Sequence, residues 1–150
     1  EIFVLNLESG QRRNLTNDRT ENYDTLPSWS PDGTRLVFES SSHVEEYGYR
    51  DRIYTMDASD GSDRRLLAQA LSEFGAGVTF SGTTYSPDGK KIAYLQTAFV
   101  SDDANPRLYK MNASDGSNKQ LIYKAVKGEP GDPYGDAALR SPDWGVQVPR

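Results

Sequence analysis

The strongest constraint on the fold of this chain is an internal repeat with a period of about 55 residues. One motif, Ser-Pro-Asp-Gly, begins at Ser30 and again at Ser86. A second motif, Asp-Gly-Ser, begins at Asp60 and again at Asp115. The two spacings are nearly equal although the motifs are independent, and repeats of this length indicate an array of similar modules.

Each repeat predicts four short strands, which we name A to D in chain order. In the first full copy we expect them near Leu26–Ser30, Leu36–Glu39, Ile53–Asp57 and Arg65–Leu67. Strands B and C are rich in β-branched and aromatic residues. Ser-Pro-Asp-Gly predicts the turn from A to B, and Asp-Gly predicts a hairpin turn from C to D. Residues 66–74 could instead form one or two helical turns.

Four-stranded modules of even spacing predict an all-β fold, a β-propeller of four-stranded antiparallel blades with about three blades in this chain. We expect full blades at 25–68 and 83–123, strands C and D of a split blade at 1–24, and a terminal strand A at 138–148. Three blades cannot close a ring, so strand edges and apolar faces would be exposed. Either the chain is part of a longer propeller, or two copies form a six-bladed ring as a homodimer. No signal peptide is recognisable, and the start at Glu1 within a predicted strand favours a mature form or a fragment.

The repeated motifs carry a resemblance to a known family. Trp-Ser-Pro-Asp-Gly at Trp29 and Tyr-Ser-Pro-Asp-Gly at Tyr85, joined to Tyr-x-Met-Asp/Asn-Ala at Tyr54 and Tyr109, resemble the repeats of TolB-type β-propellers. The likeness covers essentially the whole chain, including Pro-Asp-Trp-Gly at Pro142, and departs from the usual tryptophan at Tyr85. It implies a six-bladed ring that serves as a binding platform in the periplasm or outside the cell.

The resemblance specifies the fold more strongly than the function. Similar repeats form the non-catalytic propeller of prolyl-oligopeptidase-type peptidases, so an accessory domain of a hydrolase stays open as an alternative. A carbohydrate- or metal-binding propeller is a third possibility. The leading expectation is a non-enzymatic binding or scaffold protein that recognises a protein partner.

Composition narrows the partners and cofactors that we expect. The formal net charge of −5 disfavours binding to nucleic acid or to an anionic membrane, since both would repel the chain. No apolar run approaches the ~20 residues of a membrane span, so we expect no membrane insertion. The chain has no cysteine and one histidine, which excludes disulfides and a Cys/His zinc site. We expect no cofactor.

Catalytic and metal-binding patterns are weak. His43 follows Ser41 and Ser42 but without a nucleophile elbow, and no pair of carboxylates is marked for acid–base chemistry, so we expect no enzyme activity. The acidic segment 57–63 could hold calcium, but its sister copy carries Asn112 and Asn118, which favours a turn. Convergence of the acidic residues Asp102, Asp103, Glu129, Asp132 and Asp136 on a cation stays open.

The expected binding face carries the B-to-C and D-to-A connections, because strands alternate in direction. We expect these to be long irregular loops, at 17–24, 41–50, 69–82, 98–106 and 124–137, and long loops on a rigid scaffold commonly bind partners. The predicted partner-binding residues are Arg19, Tyr23, His43, Tyr47, Tyr49, Arg50, Phe74 and Tyr134. The alternative is that these are ordinary solvated loops.

Overall fold

Every regular element in the described part of the molecule is a β-strand. The computed structural model describes residues 1–17, 22–44, 48–72, 77–98 and 106–124, together with Pro142 and Trp144. Ten strands follow in chain order: β1 (Phe3–Leu5), β2 (Arg12–Asn14), β3 (Asn22–Trp29), β4 (Arg35–Val44), β5 (Gly48–Asp57), β6 (Arg65–Ser72), β7 (Val78–Tyr85), β8 (Lys91–Ala98), β9 (Arg107–Asn112) and β10 (Gln120–Lys124).

The strands form two complete blades and one hairpin. Strands β3 to β6 pair in chain order as one antiparallel four-stranded sheet, the first blade. Strands β7 to β10 form the second blade in the same way. Strands β1 and β2 pair as a hairpin at the position expected for strands C and D of a split blade. The predicted all-β architecture of antiparallel four-stranded blades is confirmed.

The turn from strand A to strand B is built identically in both blades. Ser30 Oγ donates a hydrogen bond to Asp32 Oδ1 at 2.6 Å and accepts one from Arg35 N at 2.9 Å. Ser86 repeats both contacts with Asp88 and Lys91 at the same distances. Because the serine and aspartate side chains satisfy each other and the backbone, the Ser-Pro-Asp-Gly motif encodes this turn locally.

The turn from strand C to strand D recurs three times. The N–H groups of Gly10, Gly61 and Gly116 donate to the carbonyl oxygens four residues earlier, each at 2.9 Å. All three glycines have φ between +70° and +78°, a conformation that other residues adopt at a cost. Asp57 and Asp60 accept backbone N–H groups inside this turn, which supports reading segment 57–63 as a turn.

Two of these glycines form the joints between blades. A Cβ atom on Gly61 would lie 2.2 Å from the carbonyl oxygen of Leu15 in the hairpin, and one on Gly116 would lie 2.1 Å from that of Leu67 in the first blade. The C-to-D turns at Gly61 and Gly116 therefore rest directly on the backbone of the preceding module, at or just after its strand D. At Gly10, the equivalent position, no described atom lies within 4 Å.

The core lies between neighbouring blades. The hairpin and the first blade share one cluster, which comprises Ile2, Leu15, Leu36, Phe38, Met56 and Ala58. The first and second blades share another, which comprises Val37, Ile53, Leu67, Ala68, Tyr85, Ile92, Tyr94 and Met111. Phe38 stacks on Tyr54, and Tyr94 stacks on Tyr109, each with ring centroids 5.7 Å apart. The repeat in the sequence therefore corresponds to a repeat in the packing of the core side chains.

The strands are longer than expected, and the corresponding loop predictions are wrong. Strand β4 continues to Val44 and β5 begins at Gly48, so most of segment 41–50 is paired strand. Strand β3 begins at Asn22, and β6 continues to Ser72, which shortens the connections at 17–24 and 69–82. The helical alternative at 66–74 is also wrong, because residues 65–72 pair with β5. Ladder hydrogen bonds need no apolar alternation, so polar ends of strands escaped the sequence pattern.

Candidate functional site

Three of the predicted partner-binding residues converge on one open cleft. Tyr23 on β3, His43 on β4 and Tyr49 on β5 line this cleft, together with Asn22, around a volume of about 510 Å³. All three lie near the strand ends that carry the B-to-C and D-to-A connections. We call this group the aromatic cleft.

The register of the sheet explains why these side chains meet. His43 lies directly opposite Tyr49 in the β4–β5 ladder, and their rings pack edge to face with centroids 5.5 Å apart. Tyr23 is paired with Ser41, two residues from His43 on the same face of the sheet. Tyr23 is 67% exposed and Tyr49 is 51% exposed. The cleft therefore presents aromatic surface to solvent on a rigid sheet rather than on a loop.

The other predicted residues divide into two groups. Arg50 does not line the cleft, since it alternates with Tyr49 onto the opposite face of β5. The Nε atom of Arg50 is buried and has no hydrogen-bond partner among the described residues. Four further residues lie outside the described residues, namely Arg19, Tyr47, Phe74 and Tyr134.

A buried carboxyl group lies deeper on the same face, and the sequence reasoning missed it. Glu39 is only 8% exposed, and its Oε1 accepts a hydrogen bond from the N–H of Thr83 in β7 at 3.3 Å. It borders a cavity of about 210 Å³ that also touches Asp51 and Phe80. Burial raises the pKa of Glu39 to about 7, and the nearby Asp51 carboxylate acts in the same direction.

The signal for Glu39 was present in the repeat. Leu95 occupies the equivalent position in the second blade, one repeat later, and is buried. A carboxyl group at a position where the sister module has leucine indicates a blade-specific role. A comparison of the two copies position by position, rather than of their motifs alone, would have found it.

A third cavity, larger than the other two, lies at the opposite end of the blades. It encloses about 590 Å³ between the A-to-B turns of the two blades, and Tyr85 and Lys91 are among its lining residues. Because the cavity lies between two neighbouring turns, this end of the blades also presents a concave surface.

Comparison with known proteins agrees with the geometry of the blades. No family model matches the chain. It is 29% identical over 119 residues to the Tol-Pal system protein TolB of Francisella tularensis subsp. mediasiatica (strain FSC147), and 28% identical over 119 residues to that of subsp. holarctica (strain OSU18). Each match covers 79% of this chain and 24% of the relative, so the chain spans about a quarter of the length of these relatives.

A solved structure supports the same fold. An oligogalacturonate lyase in complex with manganese superposes with a TM-score of 0.59 at 20% sequence identity, over 90% of this chain and 32% of the other. At this identity the likeness concerns the fold alone. The chain therefore has β-propeller blades that are similar in sequence to those of TolB.

The end of the chain contacts the second TolB-type blade. Trp144 Nε1 donates a hydrogen bond to the carbonyl oxygen of Thr84 in β7 at 3.5 Å. Of the strand predicted at 138–148, only Pro142 and Trp144 belong to the described residues. The contact places Trp144 beside strand A of the second blade, and the strand at 138–148 stays a prediction.

The described residues form neither a metal-binding cluster nor a membrane-spanning helix. Among them, no three His, Cys, Asp or Glu side chains lie close enough to hold a metal ion together. The acidic residues for which a cation site stays open, at 102–103 and 129–136, fall outside that part of the chain. Within the described ranges, no helix has the length and apolar character to span a bilayer.

Proposed function

We propose that this chain is a non-enzymatic binding module that recognises a protein partner through the aromatic cleft. The observation that carries the proposal is the convergence of Tyr23, His43 and Tyr49 on one open concave surface. Tyrosine side chains contribute a large contact area with little loss of conformational entropy, and they are enriched where proteins bind each other. The strand ladder fixes their positions in advance, which lowers the entropic cost of binding.

The relatives favour a protein partner over a small molecule. The proteins that match this chain are named as components of the Tol-Pal system, an assembly of proteins. We extend from these relatives, as proposals, both the scaffold role and a periplasmic or extracellular location. The acidic net charge of −5 agrees with a partner that is neither nucleic acid nor an anionic membrane.

Selection of peptides from a random display library tests this role. We expect selected peptides to bind the wild-type chain with Kd below about 100 µM, and at least tenfold more weakly to a variant with Tyr23→Ala and Tyr49→Ala, since anchor residues typically contribute more than about 1 kcal/mol each. Isothermal titration calorimetry measures both affinities. Trp29→Ala is the matched control, because Trp29 is also exposed but lies at the other end of β3.

Two results would contradict the role of the cleft. One is a selection that yields no binder, and the other is a set of peptides whose affinity is equal for the wild type and the tyrosine double variant. An equal loss in Trp29→Ala would also count against it, because it would indicate a general effect on β3.

We also propose that two copies associate through their open ends, each contributing three blades to a ring of six. The two open ends have features that fit each other. At one end, strand β10 is exposed along its length, and Ile122 is 48% exposed where its counterpart Leu67 is 5% exposed. At the other end, Gly10 has the conformation of a joint glycine but no described atom beside it. Docking of β10 onto the Gly10 turn would reproduce the joints seen at Gly61 and Gly116.

A native mass measurement tests the association. We expect twice the chain mass of 16.7 kDa for the wild type. Gly10→Ala is expected to shift the mass towards a single chain, because its methyl group would occupy the joint. Gly33→Ala is the control, since Gly33 has the same φ of about +71° with open space around it but lies in an A-to-B turn. A single-chain mass for the wild type at micromolar concentration, or no difference between the variants, would contradict this proposal.

A further inference from the structure

The cavity between the A-to-B turns has a cationic wall. Its lining includes four basic side chains, Arg35, Arg65, Lys90 and Lys91, and two carboxylates, those of Asp32 and Asp88. The lining therefore carries a net charge of +2 in a chain whose net charge is −5. A local excess of positive charge on an acidic protein attracts anions to that place.

The two carboxylates of the lining are engaged by the turns that hold them. Asp32 Oδ1 accepts hydrogen bonds from Ser30 Oγ and from Thr34 N and Oγ1 at 2.6 to 3.0 Å. Asp88 Oδ1 accepts from Ser86 Oγ at 2.6 Å and from Lys90 N at 3.1 Å. These contacts explain both acids as parts of the turn motif, which leaves the basic residues to be explained.

The two blades neutralise their basic residues differently. In the first blade, Asp63 Oδ2 lies 2.9 Å from Arg35 Nη1 and 2.7 Å from Arg65 Nη2. In the second blade, the position equivalent to Asp63 is Asn118, and the position equivalent to Asp57 is Asn112. Lys91 Nζ accordingly donates to the neutral amide oxygen of Asn112 at 2.5 Å.

The positive charge of the second blade is therefore only partly cancelled by its own repeat, which contributes Asp88 against Lys90 and Lys91. Lys90 adds a further positive charge where the first blade has Thr34. Its backbone N–H serves the turn, and within the described ranges the Lys90 ammonium group makes no ion pair shorter than 4 Å. The wall formed by Lys90 and Lys91 is thus a cationic surface that only this blade presents.

Tyr85 adds a buried hydrogen-bond donor to the same cavity. It is 7% exposed, and its hydroxyl group has no hydrogen-bond partner of good geometry among the described residues. Burial raises the pKa of Tyr85 to about 12, although the nearby Arg35 guanidinium acts in the opposite direction, so the hydroxyl group keeps its proton. A buried hydroxyl group without a partner is costly unless a ligand or water completes it.

We propose that this cavity binds a small organic oxyanion, with its carboxylate or phosphate oxygens facing Lys90, Lys91 and Tyr85. The volume of about 590 Å³ lies in the range of small-molecule sites. Pro31, Pro87 and Ala113 supply apolar surface for the carbon skeleton of the ligand. The site lies at the opposite end of the blades from the aromatic cleft, and it stands independently of the protein-binding role.

Calorimetric titration at low ionic strength tests the site. The probes are citrate, glucose 6-phosphate and neutral glucose, which separate carboxylate from phosphate and anion from sugar. We expect the two anions to bind and glucose to show no heat of binding. A Lys90→Thr, Lys91→Gln double variant should bind the anions at least about tenfold more weakly, since a hydrogen bond to a charged group is worth about a factor of ten or more.

Two further variants give the test its controls. Tyr85→Phe removes only the hydroxyl group and should also weaken binding, while thermal unfolding confirms that the blade remains folded. Lys119→Thr removes an exposed lysine of the same blade that does not line the cavity, and its affinity should equal that of the wild type.

Each outcome of the titrations either supports the proposed site or contradicts it. Binding of only one of the two anions supports the site and fixes the chemistry of its ligand. Absence of binding by both anions at about 10 mM overturns the proposal, because a dissociation constant above that range leaves no specific site. Equal weakening in Lys119→Thr overturns it as well, since the effect would then follow net charge rather than place.

Discussion

The turns at Gly61 and Gly10 share one backbone conformation but have different surroundings. Both glycines donate to the carbonyl oxygen four residues earlier, and their φ angles are +78° and +70°. Gly61 lies in a closed joint, flush against the carbonyl oxygen of Leu15, whereas Gly10 lies at an open end. The same glycine thus meets two demands, one from its own turn and one from the neighbouring blade.

The comparison separates the conformation that the turn itself requires from the space that the neighbouring blade requires. The requirement for φ above zero is local and holds at all three turns, with or without a neighbour. The requirement for a missing side chain is tertiary and arises only where strand D of the preceding blade is present. A repeat can therefore keep one residue for two physical reasons, and substitutions can measure each reason separately.

The largest expected effect is the difference between Gly61→Ala and Gly10→Ala. Both place alanine at positive φ, which costs about 1 kcal/mol. Gly61→Ala must also displace the backbone of Leu15, which adds about 3 kcal/mol, so we expect about 4 kcal/mol in total. Urea unfolding at a concentration where the chain is monomeric measures both values. Equal destabilisation by the two variants would show that the joint imposes no constraint of its own.

The next largest expected effect concerns the carboxyl group of Glu39, which accepts a hydrogen bond from Thr83 of the second blade. The folded pKa of Glu39, about 7, lies above the ordinary 4.5, so folding favours the protonated form. The contribution of Glu39 to the free energy of unfolding is then greatest below about pH 4.5. It falls by about 2 to 3 kcal/mol as the pH rises through 7. Glu39→Gln keeps an acceptor for Thr83 N and should remove this fall. Unfolding free energies of both proteins from pH 4.5 to 8 measure it.

Leu95 provides the contrast in the second blade. Leu95→Gln introduces the same amide at the equivalent position, where no carboxyl group titrates, and should leave the pH dependence of the wild type unchanged. A wild-type stability that stays flat from pH 4.5 to 8 would mean that Glu39 is effectively solvated.

The smallest expected effect comes from the serine of the A-to-B turn, and it should be equal in the two blades. Ser30→Ala and Ser86→Ala each remove the hydroxyl group that accepts the N–H of Arg35 or Lys91. Each should destabilise the chain by about 1 kcal/mol, the typical value for one such hydrogen bond. Thermal unfolding compares them. If one variant were clearly more destabilised than the other, the stability of the A-to-B turn would also depend on the joint.

Much of the fold could be predicted from the sequence because its turns are locally encoded. The Ser-Pro-Asp-Gly and Asp-Gly motifs contain both partners of their key hydrogen bonds, so spacing alone located the strands between them. The extensions of β4 and β5 carry Ser41, Ser42 and Arg50, which show no apolar alternation. Their pairing comes from the ladder itself, which the sequence pattern does not reveal.

The candidate site could be predicted only in part from the sequence. The sequence predicts Tyr23, His43 and Tyr49 as loop residues, whereas the structure brings them together through strand register. The Glu39 carboxyl group depends on a contact with Thr83, which is distant in sequence and belongs to the next blade. Such a contact follows from how blades stack, which no local motif specifies.

The buried Glu39 has a consequence for how similar modules find their correct neighbours. A chain of near-identical sheets risks assembling with a module skipped or exchanged, because most of its mating surfaces are interchangeable. A carboxyl group that must meet the amide of Thr83 is compatible with one order of modules and penalised in others. Since Glu39 belongs to only one of the two described blades, it distinguishes the interface between them from a joint formed by the second blade, where Leu95 stands instead.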